Sequence, residues 1–197
     1  MNKNKRHTSV LKTFSISSLL ALSIATPAMA SLHTWNISEI YNDSSSGIQF
    51  IELVNTNDNG QDQFQNAEIT STASSFTFPT NLSVGSATAN LRLLLGNAAY
   101  NAATGSVDSD YLLPDNFFSA VGDTINFATG VDEVTFTNLP TDGTNSFNYS
   151  GDNGAGQTIA ANSPTNLSSE VGSVPEPSST LLLITGGVAA LFGRRRK

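Results

Sequence analysis

Apolar residues are arranged along this chain in two ways. At Phe14 to Ile24 and at Leu181 to Phe192 they form runs, whereas between these they come in short segments separated by Gly, Asn, Asp and Ser. Alternation at period two marks a strand with one buried face. Within Leu32 to Tyr41, Trp35, Ile37 and Tyr41 are expected to share such a face, and Asn42-Asp43-Ser44-Ser45-Ser46-Gly47 then supplies turn residues. Ile48 to Val54 is the most apolar strand candidate, and Asn55 to Asp62 a polar loop. The two strands are expected to form a hairpin, because sequential strands with short connections usually pair.

The same pattern continues. Phe76-Thr77-Phe78 alternates and stops at Pro79, and Asn90 to Leu95 reads as a core strand stopped by Gly96. Thr124 to Phe127 and Glu133 to Phe136 flank Ala128-Thr129-Gly130 and predict a second hairpin. Phe147-Asn148-Tyr149 reads as the last strand, and short helical turns are expected at Asn97 to Tyr100 and Asn116 to Ala120. Short strands without a long 3.6-residue period predict an all-β sandwich over residues 31–150. Its core is expected to hold Trp35, Ile37, Phe50 or Ile51, Leu53, Leu93, Leu95, Ile125, Phe127, Val134 and Phe136. Residues 151–173, rich in Gly, Ala, Asn and Ser and free of aromatics, read as a flexible linker.

Both ends carry processing signals. Lys3, Lys5, Arg6 and Lys12 precede the apolar Phe14 to Ile24 stretch, and Pro27-Ala28-Met29-Ala30 has the Ala-x-Ala form of a cleavage site after Ala30. Residues 1–30 are therefore expected to be a signal peptide, helical in its apolar part. At the other end, Val174-Pro175-Glu176-Pro177 precedes an uncharged apolar run and the cluster Arg194-Arg195-Arg196-Lys197. The prolines must stay outside any helix that follows. The sixteen residues Ser178 to Gly193 reach about 24 Å as a helix at roughly 1.5 Å each, short of a hydrocarbon core of about 30 Å. The result is a short, shallow transmembrane helix whose basic end stays cytoplasmic. In this order the parts resemble the PEP-CTERM sorting signal of Gram-negative envelope proteins. The resemblance implies recognition by an exosortase, a Cys protease-like transpeptidase of the membrane, with processing near Pro175-Glu176-Pro177.

A second resemblance lies in the first hairpin. Ile37-Ser38-Glu39-Ile40-Tyr41-Asn42, a Gly turn and Gln49-Phe50-Ile51-Glu52-Leu53-Val54-Asn55 are similar to the opening of a lamin-tail domain. That family implies an immunoglobulin-like sandwich with a structural or adhesive role.

Charge and composition narrow the partners. The full chain carries −7, but between Ser31 and Ser173 fifteen acidic residues face one basic residue, Arg92. Such a surface repels phosphate backbones and excludes nucleic acid as a natural partner. With no Cys anywhere in the chain, no disulfide supports an exported fold, and stability must come from the packed core.

Few residues suggest chemistry. His33 is the one His after Ala30, which argues against a Ser-His-Asp arrangement and against a zinc site of the usual kind. Glu39 and Glu52 would form an acid/base pair if the hairpin aligned them, and would otherwise be solvated or bonded to nearby backbone. Calcium needs only oxygen ligands. Asp108 and Asp110, with Asp115 nearby, are the leading candidate group, and Asp58 with Asp62 the second. The expected function is a non-catalytic protein exported through the inner membrane to the cell surface or matrix and associated with exopolysaccharide. The alternative is a calcium-dependent carbohydrate-binding or adhesive module, while a hydrolase is disfavoured by the missing base and nucleophile pair.

Overall fold

The computed structural model describes residues 32–174. The signal-peptide reading with Ala28 and Ala30, and the tail from Pro175 to Lys197, lie outside the described residues.

The chain begins with β1 (Trp35–Asp43) and β2 (Ile48–Asn55), the expected hairpin. Its turn is closed by Asp43, whose carboxylate accepts from the Ser45 N–H at 2.9 Å and the Ser45 hydroxyl at 2.7 Å. Gly47 ends the turn at φ +72° with open space around it, where a Cβ would be strained. Next come β3 (Glu68–Thr70), β4 (Ser75–Thr77), β5 (Arg92–Gly96) and a one-turn helix α1 (Ala98–Asn101). Asn97 caps that helix by accepting from the Tyr100 N–H at 2.9 Å. After β6 (Tyr111–Leu112), the second expected hairpin forms from β7 (Gly122–Phe127) and β8 (Asp132–Thr137). The chain then adds β9 (Asn145–Asn148) and β10 (Thr158–Ala161).

These strands make a β-sandwich. One sheet has the order β10-β9-β1-β2-β5-β6 and the other β4-β3-β7-β8. All described strand pairs are antiparallel except β5 with β6. Between the sheets lie Trp35, Ile37, Ile51, Leu53, Leu93, Leu95, Ile125, Phe127, Val134 and Phe136, all buried as expected. Phe64 and Phe78 add aromatic edges, Phe64 meeting Trp35 at 5.2 Å and Phe78 at 5.0 Å between ring centres.

Three expectations are corrected. Tyr41 does not share the face of Trp35 and Ile37. The pairing register of β1 with β2 shifts between Ile37 and Glu39, so Ser38 is an extra residue, and Ile40 joins the inner core in place of Tyr41. No helical turn forms at Asn116 to Ala120. There Gln49 reaches across, its side chain accepting the Phe117 N–H at 2.8 Å and donating to the Phe118 carbonyl at 2.7 Å, so this backbone is satisfied without helical bonds.

The largest correction concerns residues 151–173. They do not run as a linker beyond the sandwich. Residues 158–161 form β10 on β9, and the chain then crosses the outer face of the six-stranded sheet as a strap ending at the buried Val174. That sheet is therefore covered on both faces. Phe50 and Ile51 are both buried, on opposite faces, with Phe50 in a second cluster of Tyr41, Ile48, Leu94, Tyr100 and Val174.

Candidate functional site: the strap and the sorting junction

The bulge at Ser38 sets up an unusual polar centre on the outer face. It brings Glu39 directly opposite Glu52, and both are buried, at 2% and 0% exposure. Like charges across a strand pair repel, and a buried carboxylate without partners is costly. The fold answers each one separately. Glu52 pairs with the Arg92 guanidinium and accepts from the Ser38 hydroxyl at 2.6 Å. Glu39 accepts from the Ser146 hydroxyl at 2.7 Å and has no cation beside it among the described residues. Burial pushes the Glu39 carboxyl up to about 7; the Ser146 and Ser163 hydrogen bonds oppose the rise, and the charge of Glu52 adds to it.

The remaining donors come from the strap. The Ser163 N–H donates to Glu39 at 3.0 Å and its hydroxyl at 3.4 Å, while the Thr165 N–H donates to Glu52 at 2.8 Å. The hairpin thus aligns the two carboxylates, and their oxygens engage the chain's own donors. What this pair does is hold the strap onto the sheet.

Asp110 fastens the next stretch. Its carboxylate accepts from the Leu94 N–H at 2.8 Å and from the Leu167 N–H at 2.9 Å. Burial pushes this carboxyl above its usual value, against the effect of those two N–H groups. Asp108 and Asp115, grouped with Asp110 as calcium ligands on the sequence, are exposed. The three do not converge, and no group of three or more His, Cys, Asp or Glu able to hold a metal is found among the described residues. Leu94 and Leu167 N–H groups occupy the acceptor sites on Asp110 that a cation would need. Asp58 and Asp62 likewise serve their own loop: the Asp58 carbonyl accepts from the Asn55 amide and the Thr88 hydroxyl, its carboxylate accepts from the Asn59 N–H, and the Asp62 carboxylate accepts from Gln63.

The strap ends in a clasp. Its Gly172 approaches so closely that a Cβ would stand 2.8 Å from the Val107 nitrogen. The Ser173 N–H donates to the Gly105 carbonyl at 3.1 Å. Asn162 then holds Val174 by both backbone groups, accepting its N–H at 2.7 Å and donating to its carbonyl at 3.2 Å. The same Asn162 amide donates to the Thr144 carbonyl at 2.8 Å, beside the Asn162 backbone N–H at 2.9 Å, which ties the clasp to the end of β9. Val174 is 3% exposed, against Tyr41, Phe50 and Tyr100.

Residues 173–197 match the PEP-CTERM protein-sorting motif. The chain ends in a PEP-CTERM sorting motif. The match takes in Val174, Pro175, Glu176, Pro177, Arg194, Arg195 and Arg196, read on the sequence as the sorting signal. The PEP-CTERM motif implies that the protein is exported and processed by an exosortase. No curated protein and no solved structure matches the chain. The first two matched residues, Ser173 and Val174, belong to the folded sandwich, so the PEP-CTERM motif begins inside the fold.

Sequence reasoning missed Asn162, Ser163 and Thr165. Their setting, Ala161-Asn162-Ser163-Pro164-Thr165-Asn166, has no charge and is flanked by two isolated large apolar residues, Ile159 and Leu167, which make no strand or helix pattern. The available signal was on the other partner: two acidic residues, Glu39 and Glu52, sit inside otherwise apolar strands, and such carboxylates need donors from somewhere.

Proposed function

We propose that this chain is a non-catalytic protein of the cell surface or extracellular matrix, delivered by the exosortase route and associated there with exopolysaccharide. The observation that carries the reading is the PEP-CTERM motif joined without a spacer to a folded sandwich. A lamin-tail-like character for the sandwich is part of the proposal, supported by the Ile37 to Asn55 hairpin with its Gly47 turn. Support for a saccharide partner comes from a cavity of about 280 Å³ beside Arg92. Asn36, Ser38 and Ser150 offer amide and hydroxyl groups there and Tyr149 a ring, the kinds of group that hold sugars.

The delivery reading is tested by replacing Arg194, Arg195 and Arg196 with Asn and following surface display and mature mass. The expected result is loss of display and of processing; an unchanged mature mass at the surface refutes it. The saccharide reading is tested on a glycan array with Thr56→Trp, which puts a large ring at an exposed lining position, as control. Binding that survives Thr56→Trp, or no binding at all, removes it.

A further inference from the structure

A β-sandwich built from two open sheets has four edges, each a row of backbone N–H and C=O groups able to pair with another strand. Three of them are blunted here. Strand β6 is two residues long and is followed closely by Pro114. Strand β4 is three residues long and is followed by Phe78 and Pro79. Strand β8 carries the exposed Glu133, and its start is occupied: Asp132 accepts the Ile37 N–H at 2.7 Å and also the Asn153 N–H, while Gly154 sits against Val134.

Strand β10 has none of these devices. Its residues Thr158-Ile159-Ala160-Ala161 are all exposed, Ile159 at 63%, and β9 is its one partner strand. In an antiparallel pair the backbone groups of alternate residues point away from the partner, so the outer side of β10 presents free donors and acceptors. No Asp, Glu, Lys or Arg occurs from Asn153 to Ser169, a gap of seventeen residues in a region otherwise dense in acid. Small side chains at Ala160 and Ala161 leave the edge open to close approach.

We propose that the free edge of β10 pairs antiparallel with β10 of a second copy, joining two six-stranded sheets into one across a two-fold axis. Charge selects a second copy for this edge. Two domains each bearing fifteen acidic residues and one basic residue repel over most of their surfaces. They can approach at low electrostatic cost where both are uncharged, and the β10 segment supplies that stretch on each. Because the other edges are blunted, pairing of identical edges closes at two copies and does not propagate.

The test uses the full chain, purified in mild detergent with its tail in place. Light scattering and sedimentation should give a dimer of polypeptide. Ala160→Lys and Thr158→Lys, at exposed positions that leave the core untouched, should weaken the dimer about tenfold or more. Val121→Lys, at a residue 81% exposed and away from β10, should not. Because the chain has no Cys, single Cys residues placed at 158 to 161 add a geometric readout. Oxidation should link copies through at least one of the four, and not through Cys at position 121. A monomeric wild type, a dimer indifferent to both Lys substitutions, or no disulfide from any of the four positions overturns the proposal.

Discussion

Glu39→Gln should remove most of the pH dependence of stability between about pH 5 and about pH 8. In the folded chain the Glu39 carboxyl is raised from its ordinary 4.5 to about 7, chiefly by burial. A raised carboxyl means that the folded state holds a proton the unfolded state has released. Stability from this group is therefore present at acid pH and is lost as pH rises through about 7. The charged groups facing it are Glu52, directly across the strand pair, and Arg92, which Glu52 engages. With a rise of this size, roughly 3–4 kcal/mol is the upper bound on the loss at about 1.4 kcal/mol per pH unit. The amide of Gln resembles the protonated acid in shape and cannot ionise, so the variant should match wild type at low pH and exceed it at high pH. Urea unfolding of residues 31–174 at a series of pH values reads the effect. At an m-value of about 2 kcal/mol/M, the wild-type midpoint should fall by roughly 1–1.5 M across the range, while that of the variant stays nearly level. Parallel loss in both proteins, or a wild type that gains stability with rising pH, would show that burial does not control Glu39.

Further outcomes follow from the same contacts. Ile51→Ala, at a fully buried position between the sheets, should cost about 2–5 kcal/mol in a urea titration, and a loss under about 1 kcal/mol would place the side chain outside the core. Asn162→Ala removes the side-chain partner of both backbone groups of Val174; it should cost about 1–3 kcal/mol and speed hydrogen exchange at the Val174 amide, whose unchanged protection would contradict the clasp. Gly172→Ala should loosen the strap through the clash with Val107, visible as faster proteolysis between 162 and 174. Because the Asp110 oxygens serve Leu94 and Leu167, millimolar Ca²⁺ and NaCl of matched ionic strength should shift the melting temperature alike; a rise specific to Ca²⁺ would restore the metal reading.

Much of the sandwich was legible because its signals are local. Period-two alternation placed both hairpins, and Gly47 and Gly130 marked their turns. What escaped was non-local. Nothing in Ile37-Ser38-Glu39 announces a bulge, since a bulge is settled by what the facing strand and the outer layer require. Its consequence was large: one extra residue put Ile40 in place of Tyr41 on the inner face and turned Glu39 outward, opposite Glu52 and toward the strap. The strap itself lacks an apolar pattern because it is held by backbone N–H groups and one Asn, donors that every linker also possesses. Composition alone cannot tell a segment that hydrogen-bonds to water from one that hydrogen-bonds to buried carboxylates.

The clasp at Val174 fixes a length. Six residues, Pro175 to Thr180, separate it from Leu181, where the apolar run starts. Even fully extended they reach only about 20 Å at some 3.3–3.6 Å per residue. Had 151–173 been a free leash, the domain could have wandered several times farther. On the proposed reading, in which that apolar run enters the membrane, an uncut chain would hold the sandwich within one small-domain diameter of the membrane surface. An exosortase acting at this junction must then accommodate a folded body, because the matched motif begins at residues that the sandwich itself holds.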